Sequence, residues 1–269
     1  KLNTFIVAVY DITKQKYVFL DSSMAVPALN ILPLDLAVNK ARILSLKEKE
    51  DKKWVNVMAL SDNKSFMKID ARIEGNQVKG HRSTVLYGQE AIEYQTNEKH
   101  KQDSLVSNPK NNVSQKEKLT FTNLKVKKQE NDWALIEEEF DFVLQVNRTD
   151  NHLYINPMLF PQLKSNPFIQ TERVLPIEFP YPYKFTMLST LTLPEGYEVE
   201  ELPQPQAIRS EGDGLQCKYM IQKQGNTILL NYVFHLKGYI FLSEQYKQLQ
   251  ELWTKVIEKN NALIVLKKI

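Results

Sequence analysis

The stretch that decides the fold class is Glu-Glu-Glu-Phe-Asp-Phe-Val-Leu-Gln-Val, at residues 137–146. Apolar side chains at every second position, beginning with Phe140 and Phe142, alternate with a set that is mainly acidic or polar. Successive side chains of a β-strand point to opposite faces, so this period of two predicts a strand with one buried and one wet face.

Working outward, many other stretches are rich in β-branched and aromatic residues and end at polar, glycine or proline turns. They are residues 5–10, 17–20, 41–46, 54–60, 65–73, 119–126, 185–193, 197–202, 216–222, 230–236 and 262–266. A helix is predicted between Gly88 and Val106, and a second, amphipathic helix begins at a Ser243 cap. The chain is therefore predicted to be mostly β, an antiparallel β-sandwich with one or two helices.

Two parts are expected, with a division near residue 45. Residues 1–45 contain an N-terminal hairpin followed by an irregular connection, and residues 46–269 contain the sandwich with its closing helix and strand. Six prolines between Pro157 and Pro182 exclude a helix from that segment and predict a long surface connection.

Composition narrows the function classes. The net charge of +3 is too small for a nucleic-acid footprint, and no apolar run reaches the roughly 18 residues of a membrane span. The single cysteine, Cys217, excludes an internal disulfide and lies in an alternating run typical of a strand residue. None of the four histidines has a second His or Cys at metal-ligand spacing, and no nucleotide or hydrolase motif occurs. We expect no cofactor.

Two groups of side chains are candidates for binding. Glu137, Glu139 and Asp141 share one strand face and could chelate a hard cation such as calcium, although a solvated outer face is the simpler explanation. Tyr181, Tyr183 and Phe185, with Phe179, form an aromatic cluster that suits sugar or peptide contacts, and packing at the rim of the core is the alternative. The sequence favours the simpler explanation for both groups.

A set of motifs brings a resemblance. Asn166-Pro167-Phe168, Arg173-Val174-Leu175-Pro176 and Leu193-Pro194-Glu195-Gly196-Tyr197 occur in an order that resembles the C-terminal part of transglutaminase-like proteins of Bacteroidetes, including domain of unknown function 3858. The resemblance covers most of residues 40–269. It implies an exported protein, in the periplasm or outside the cell, and makes the N-terminal hairpin the end of a papain-like transglutaminase core.

In that family the core supplies a catalytic His and Asp on two strands. By resemblance, Thr4 occupies the position of the His and Asp21 that of the Asp, while the segment that would supply the Cys nucleophile has no counterpart here. A threonine hydroxyl cannot serve as the base for a thiol, so the resemblance implies a non-catalytic, pseudoenzyme-like chain.

Three functions stay open. The first is a non-catalytic scaffold or binding module of an envelope protein, with an unidentified protein, peptide or glycan partner. The second is an accessory domain of an active Cys-dependent peptidase or transglutaminase whose nucleophile lies outside this chain. The third is a glycan-binding module that uses Tyr181 and Tyr183.

Overall fold

The structure is a computed structural model that describes residues 5–44, 53–58, 60–103, 119–129 and 132–269. Over these residues the chain is mostly β, as predicted. In the first half, the elements are β1 (Val7–Asp11), β2 (Lys16–Leu20), β3 (Ala41–Arg42), β4 (Trp54–Val55), β5 (Lys64–Glu74), β6 (Gln77–Tyr87), α1 (Gln89–Asp103), β7 (Leu119–Gln129) and β8 (Asp132–Gln145). In the second half, they are β9 (Asn147–Arg148), β10 (His152–Ile155), β11 (Ile177–Glu178), β12 (Tyr183–Thr192), β13 (Tyr197–Glu201), β14 (Gln206–Arg209), β15 (Leu215–Gln224), β16 (Thr227–Leu236), β17 (Ile240–Phe241), α2 (Tyr246–Asn260) and β18 (Ile264–Lys268).

The chain divides into two compact units, and the first draws on residues 1–64, 86–107 and 127–136. Its hairpin pairs β1 with β2 in antiparallel register, with Ala8 opposite Phe19. Phe19 belongs to a small apolar cluster with Leu32 and Val57. The sequence-based division at residue 45 stays a prediction.

The second unit draws on residues 65–85, 108–126 and 137–269 and contains the main core. Its largest sheet has eight strands, in the order β14-β15-β16-β12-β5-β6-β8-β7, and a second sheet has the order β13-β18-β10-β9. Side chains of both sheets enter one apolar cluster, in which Met187 of the large sheet joins Leu153 and Leu266 of the small one. Two sheets that share a core form the sandwich-like arrangement that the sequence predicts.

The amphipathic helix α2 also belongs to this core. Trp253 is buried among aromatic rings, stacked on Phe179 at 5.6 Å between ring centroids and edge-on to Phe168 and Phe234. Large aromatic side chains at helical spacing therefore attach α2 to the sheet.

The motifs behind the family resemblance have structural roles. The Asn166 side-chain amide donates to the Gln250 carbonyl and its oxygen accepts from the Phe168 backbone, which fixes the proline-rich connection against α2. Gly196 has a φ of +74°, a conformation that favours glycine, in the turn between β12 and β13.

Three local expectations need correction. The strand expected over residues 54–60 is only Trp54–Val55, and the short strands β10 and β14 were not expected. Ser243 is not the cap of α2, because it lies inside a 3-10 turn (Ser243–Gln245) that precedes the helix, and the Gln245 side chain accepts from the Leu242 backbone instead.

Within the part of the chain that the structure covers, no helix is both long and apolar enough to span a membrane.

Candidate functional site

An open depression of about 620 Å³ lies on the outer face of the eight-stranded sheet, across β5, β6, β8 and β12. We call it the sheet basin. Its lining residues are Asp70, Ala71, Arg72, Lys79, Gly80, His81, Asp141, Phe142, Val143, Thr190 and Thr192. Most of its polar side chains lie at the solvent-facing positions of these strands. The adjacent residues along each strand, such as Ile69 and Leu191, point to the other face and are buried.

A glycine lets two of these strands approach closely. A Cβ atom at Gly80 would lie 2.6 Å from the Asp70 carbonyl oxygen and 2.7 Å from the Ala71 Cβ, both on β5. A Cβ atom does not approach non-bonded atoms this closely, so a side chain at Gly80 would force β5 and β6 apart. The floor of the sheet basin therefore depends on a residue without a side chain.

His81 and Asp141 form a hydrogen-bonded pair at the basin. The His81 Nδ1 lies 2.9 Å from one oxygen of Asp141, and the Asn123 amide donates to the other oxygen at 2.7 Å. The Asn123 hydrogen bond and, next, the His81 contact hold the pKa of Asp141 below its usual range. Because an ionised carboxylate only accepts, the hydrogen at the contact belongs to Nδ1, and Nε2 is the acceptor of the neutral ring.

The two cationic side chains of the basin, Arg72 and Lys79, each use only some of their N–H donors in ion pairs. The Arg72 Nε donates to Glu74, and the Lys79 ammonium lies 2.7 Å from the other Glu74 oxygen. These two hydrogen bonds, that of Lys79 first, lower the pKa of Glu74. Asp70 is paired with Lys68 at 2.8 Å. All these groups are substantially exposed, so the pairs are screened by solvent.

The acidic face that could have chelated a cation is engaged in other contacts. Glu139 accepts a hydrogen bond from Lys125 at 2.8 Å, and both oxygens of Asp141 are engaged by His81 and Asn123. Among the described residues, no group of three or more His, Cys, Asp or Glu side chains is arranged to hold a metal ion. Glu137 lies on the same strand and is half-buried.

Cys217 lies on the opposite, inner face of the sheet and is completely buried. Burial raises the pKa of its thiol to about 11, and the nearby Tyr232 hydroxyl only partly offsets this. Burial also raises the pKa of Tyr232, whose hydroxyl finds no partner at hydrogen-bond geometry in the described structure, although Cys217 and Asn260 are close. A protonated, solvent-excluded thiol is a core residue and not a nucleophile.

The aromatic candidates lie largely inside. Tyr181 and Phe185 are buried, while Tyr183 is half-buried and packs on Phe234 at 5.5 Å between centroids. Tyr183 and Phe185 border a gap that is too narrow for a water molecule. Two of the three rings therefore offer no open face on which a sugar could stack.

The other candidates are dispersed. Asp21 follows β2 and accepts a hydrogen bond from the Ser23 backbone, with a lowered pKa caused chiefly by Ser23, as expected of a turn residue. Thr4 and the side chain of His100 lie outside the described residues. His152 contacts Glu200 at 3.0 Å on the small sheet, and His235 lies on β16.

Comparison with known proteins adds one family. Residues 151–266 match the model of DUF3858, a domain of unknown function. The DUF3858 segment supplies Thr190 and Thr192 of the sheet basin, whereas the charged lining residues precede it. No curated protein matches the chain.

A solved structure is also similar, the "putative protease" from Parabacteroides distasonis ATCC 8503, at 18% identity and a TM-score of 0.37. The match covers 44% of this chain and 24% of that one, so less than half of this chain corresponds to about a quarter of that protein. A likeness at this level establishes neither a shared fold nor a shared activity.

Sequence reasoning did not single out Arg72, Lys79 or His81 as site residues. The signal was available, because Lys68, Asp70 and Arg72 alternate with buried residues, as the wet positions of a strand do. What the alternation could not give is which strands are neighbours. The union of β5, β6, β8 and β12 in one surface is a property of the sheet order.

Proposed function

We propose that this chain is a non-catalytic β-sandwich module that binds a peptide or protein partner, as part of an exported transglutaminase-like protein of a bacterial envelope. The observation that carries the binding role is the sheet basin, an open depression in which charged and hydroxyl side chains of four strands converge. Polar groups that converge in a concave surface are the usual feature of a binding site.

A peptide fits the basin better than a glycan does. Carboxylates, cations and threonine hydroxyls alternate around the depression, which complements a chain that carries amides and charged side chains. The aromatic lining residue, Phe142, is buried and offers no stacking surface. The glycan alternative based on Tyr181 and Tyr183 has little exposed ring surface to support it.

The non-catalytic role is supported by the state of Cys217. Its thiol is buried and its pKa is raised to about 11, so the thiolate that a transglutaminase or Cys peptidase needs does not form there at neutral pH. The exported location and the bacterial source rest on the resemblance of the motifs. Fractionation of the source cells with an antibody against this chain would test the location, and a cytoplasmic pool would contradict it.

Binding is tested with an array of dodecamer peptides and a matching array of oligosaccharides. The unmodified protein is compared with Thr192→Trp, which fills the basin, and with Gln222→Trp, which adds the same ring on β15, away from the basin lining. We expect peptide binding that Thr192→Trp abolishes and Gln222→Trp preserves. Absence of peptide binding, equal binding by both variants, or peptide cleavage by the purified chain would refute the proposal.

A second role has an observation of its own. One face of the hairpin β1–β2 exposes Phe5, Val7 and Val9, while Ile6 and Ala8 of the other face pack on the small cluster. Exposed apolar side chains on a two-stranded hairpin favour contact with further protein, as in an accessory domain that adjoins a catalytic core. A longer protein that contains this chain would then show peptidase or amine-transfer activity that is lost when a cysteine outside this chain is replaced by alanine.

A further inference from the structure

The groups of the sheet basin that are left for a ligand are mostly hydrogen-bond donors. Arg72 uses its Nε for Glu74, and no other hydrogen bond or ion pair of this guanidinium occurs among the described residues, so its Nη1 and Nη2 groups remain available. Lys79 uses one direction of its ammonium group for Glu74 and retains two further N–H donors. The Thr190 and Thr192 hydroxyls can donate as well as accept.

The acceptors of the basin are mostly engaged. Both oxygens of Asp141 already accept, one from the Asn123 amide and one from His81. One oxygen of Asp70 is paired with Lys68, which leaves its second oxygen and the Nε2 of a neutral His81 as acceptors. An uncharged ligand with equal numbers of donors and acceptors would leave several of the cationic donors unused.

We propose that the sheet basin binds a carboxylate of its peptide partner, a Glu or Asp side chain, and that Arg72 is the residue that recognises it. This inference rests on the proposed function and names the ligand chemistry of that same site. The two Nη groups of an arginine match the two oxygens of a carboxylate in one plane, which gives direction as well as charge. Lys79 and the two threonine hydroxyls complete the contact with the same oxygens or the adjoining amides.

The Arg72–Glu74 pair holds the guanidinium without filling the proposed site. The contact uses Nε alone, so it orients the exposed side chain while the Nη side stays open. Arg209 is a matched comparison on the same sheet, because its Nε is likewise paired with an acid, Asp213, and its exposure is nearly equal, 66% against 68% for Arg72. Arg209 does not line the basin.

The test uses blocked hexapeptides that carry a central Glu, the same peptides with Gln, and an oligogalacturonate as a carboxylate of glycan origin. Binding to the whole chain is measured by calorimetry and by NMR. We expect the Glu peptide to bind at least about tenfold more tightly than the Gln peptide. Arg72→Gln should remove that preference, Arg72→Lys should keep only part of it, and Arg209→Gln should leave it unchanged.

Each contrary outcome has a distinct meaning. Equal binding of the Glu and Gln peptides, or an equal loss in Arg72→Gln and Arg209→Gln, overturns the carboxylate proposal and leaves peptide binding by the basin intact. Preference for the oligogalacturonate over every peptide overturns the peptide as the source of the carboxylate. Failure of all three probes at millimolar concentration, together with no binding on the peptide array, overturns both proposals.

Discussion

The inner and outer faces of the eight-stranded sheet use the same strands for opposite purposes. On β8, Glu138 faces inward and meets Arg82, whose guanidinium lies 4.7 Å from the centre of the Phe140 ring, whereas Glu139 faces outward and meets Lys125 in solvent. Neighbouring residues of identical chemistry thus have different surroundings. The comparison shows that the surroundings of a side chain decide its chemistry. The Cys217 thiol is buried on the inner face, whereas the outer face carries charged side chains paired in contact with solvent.

The largest expected effect is on stability, and it tests whether the inner face of the sheet is a buried apolar core. Trp253→Ala removes the ring that packs against Phe168, Phe179 and Phe234, and we expect it to lower the free energy of unfolding by about 3–5 kcal/mol. Urea denaturation followed by circular dichroism measures this. Trp54→Ala, at an exposed ring, is the control and should change stability by less than about 0.5 kcal/mol. Similar losses in both variants would contradict the assignment of α2 to the core.

A chemical probe compares the two faces directly. At pH 8 the Cys217 thiol, with its pKa raised to about 11, should react with a thiol reagent on the order of 10² times more slowly than an ordinary exposed cysteine, and burial should slow it further. Thr190→Cys in a Cys217→Ser background places a thiol in the basin and should react quickly. Rapid labelling of native Cys217 would contradict the claim that the inner face excludes solvent and reagents.

The two glutamates of β8 sharpen the comparison. Glu138→Gln removes the ion pair between Glu138, 13% exposed, and the Arg82 guanidinium, 19% exposed, and we expect a loss of about 1–3 kcal/mol in the free energy of unfolding. Glu139→Gln should have little effect, because its pair with Lys125 is open to water and screened. Chemical denaturation of both variants gives the difference. Equal effects would mean that the Arg82–Glu138 pair is as accessible to solvent as the Lys125–Glu139 pair.

The smallest expected effect is on the stability of the protein at acidic pH. The pKa of Asp141 is lowered in the folded protein, so its contribution to stability is present above its unfolded pKa and disappears as the pH falls through the folded value. Compared with Asp141→Asn, the unmodified protein should therefore lose a small extra part of its stability between roughly pH 5 and pH 2. Parallel denaturation curves with no such difference would show that the Asn123 and His81 contacts do not persist in solution.

Much of the fold followed from local pattern. The alternation that begins at Phe140 predicted a half-buried strand, and Phe140 and Phe142 are buried as expected. Elements without a periodic signal were missed, as at Gln206–Arg209, where four residues form a strand because β15 pairs with them. Ser243 was a poor guide to the helix start, since it lies in a 3-10 turn, closed by the hydrogen bond from the Leu242 backbone to the Gln245 side chain, that precedes α2.

The sequence by itself determined which residues of a strand share a face, because a period of two sorts side chains without reference to any other strand. It also determined that a single cysteine could not form an internal disulfide. Only the tertiary structure decided that Arg72, His81, Asp141 and Thr190 share one depression, since sheet order joins strands that are distant along the chain. Pairing between strands depends on packing of the whole core, and for that reason the candidate site was not visible in any one segment.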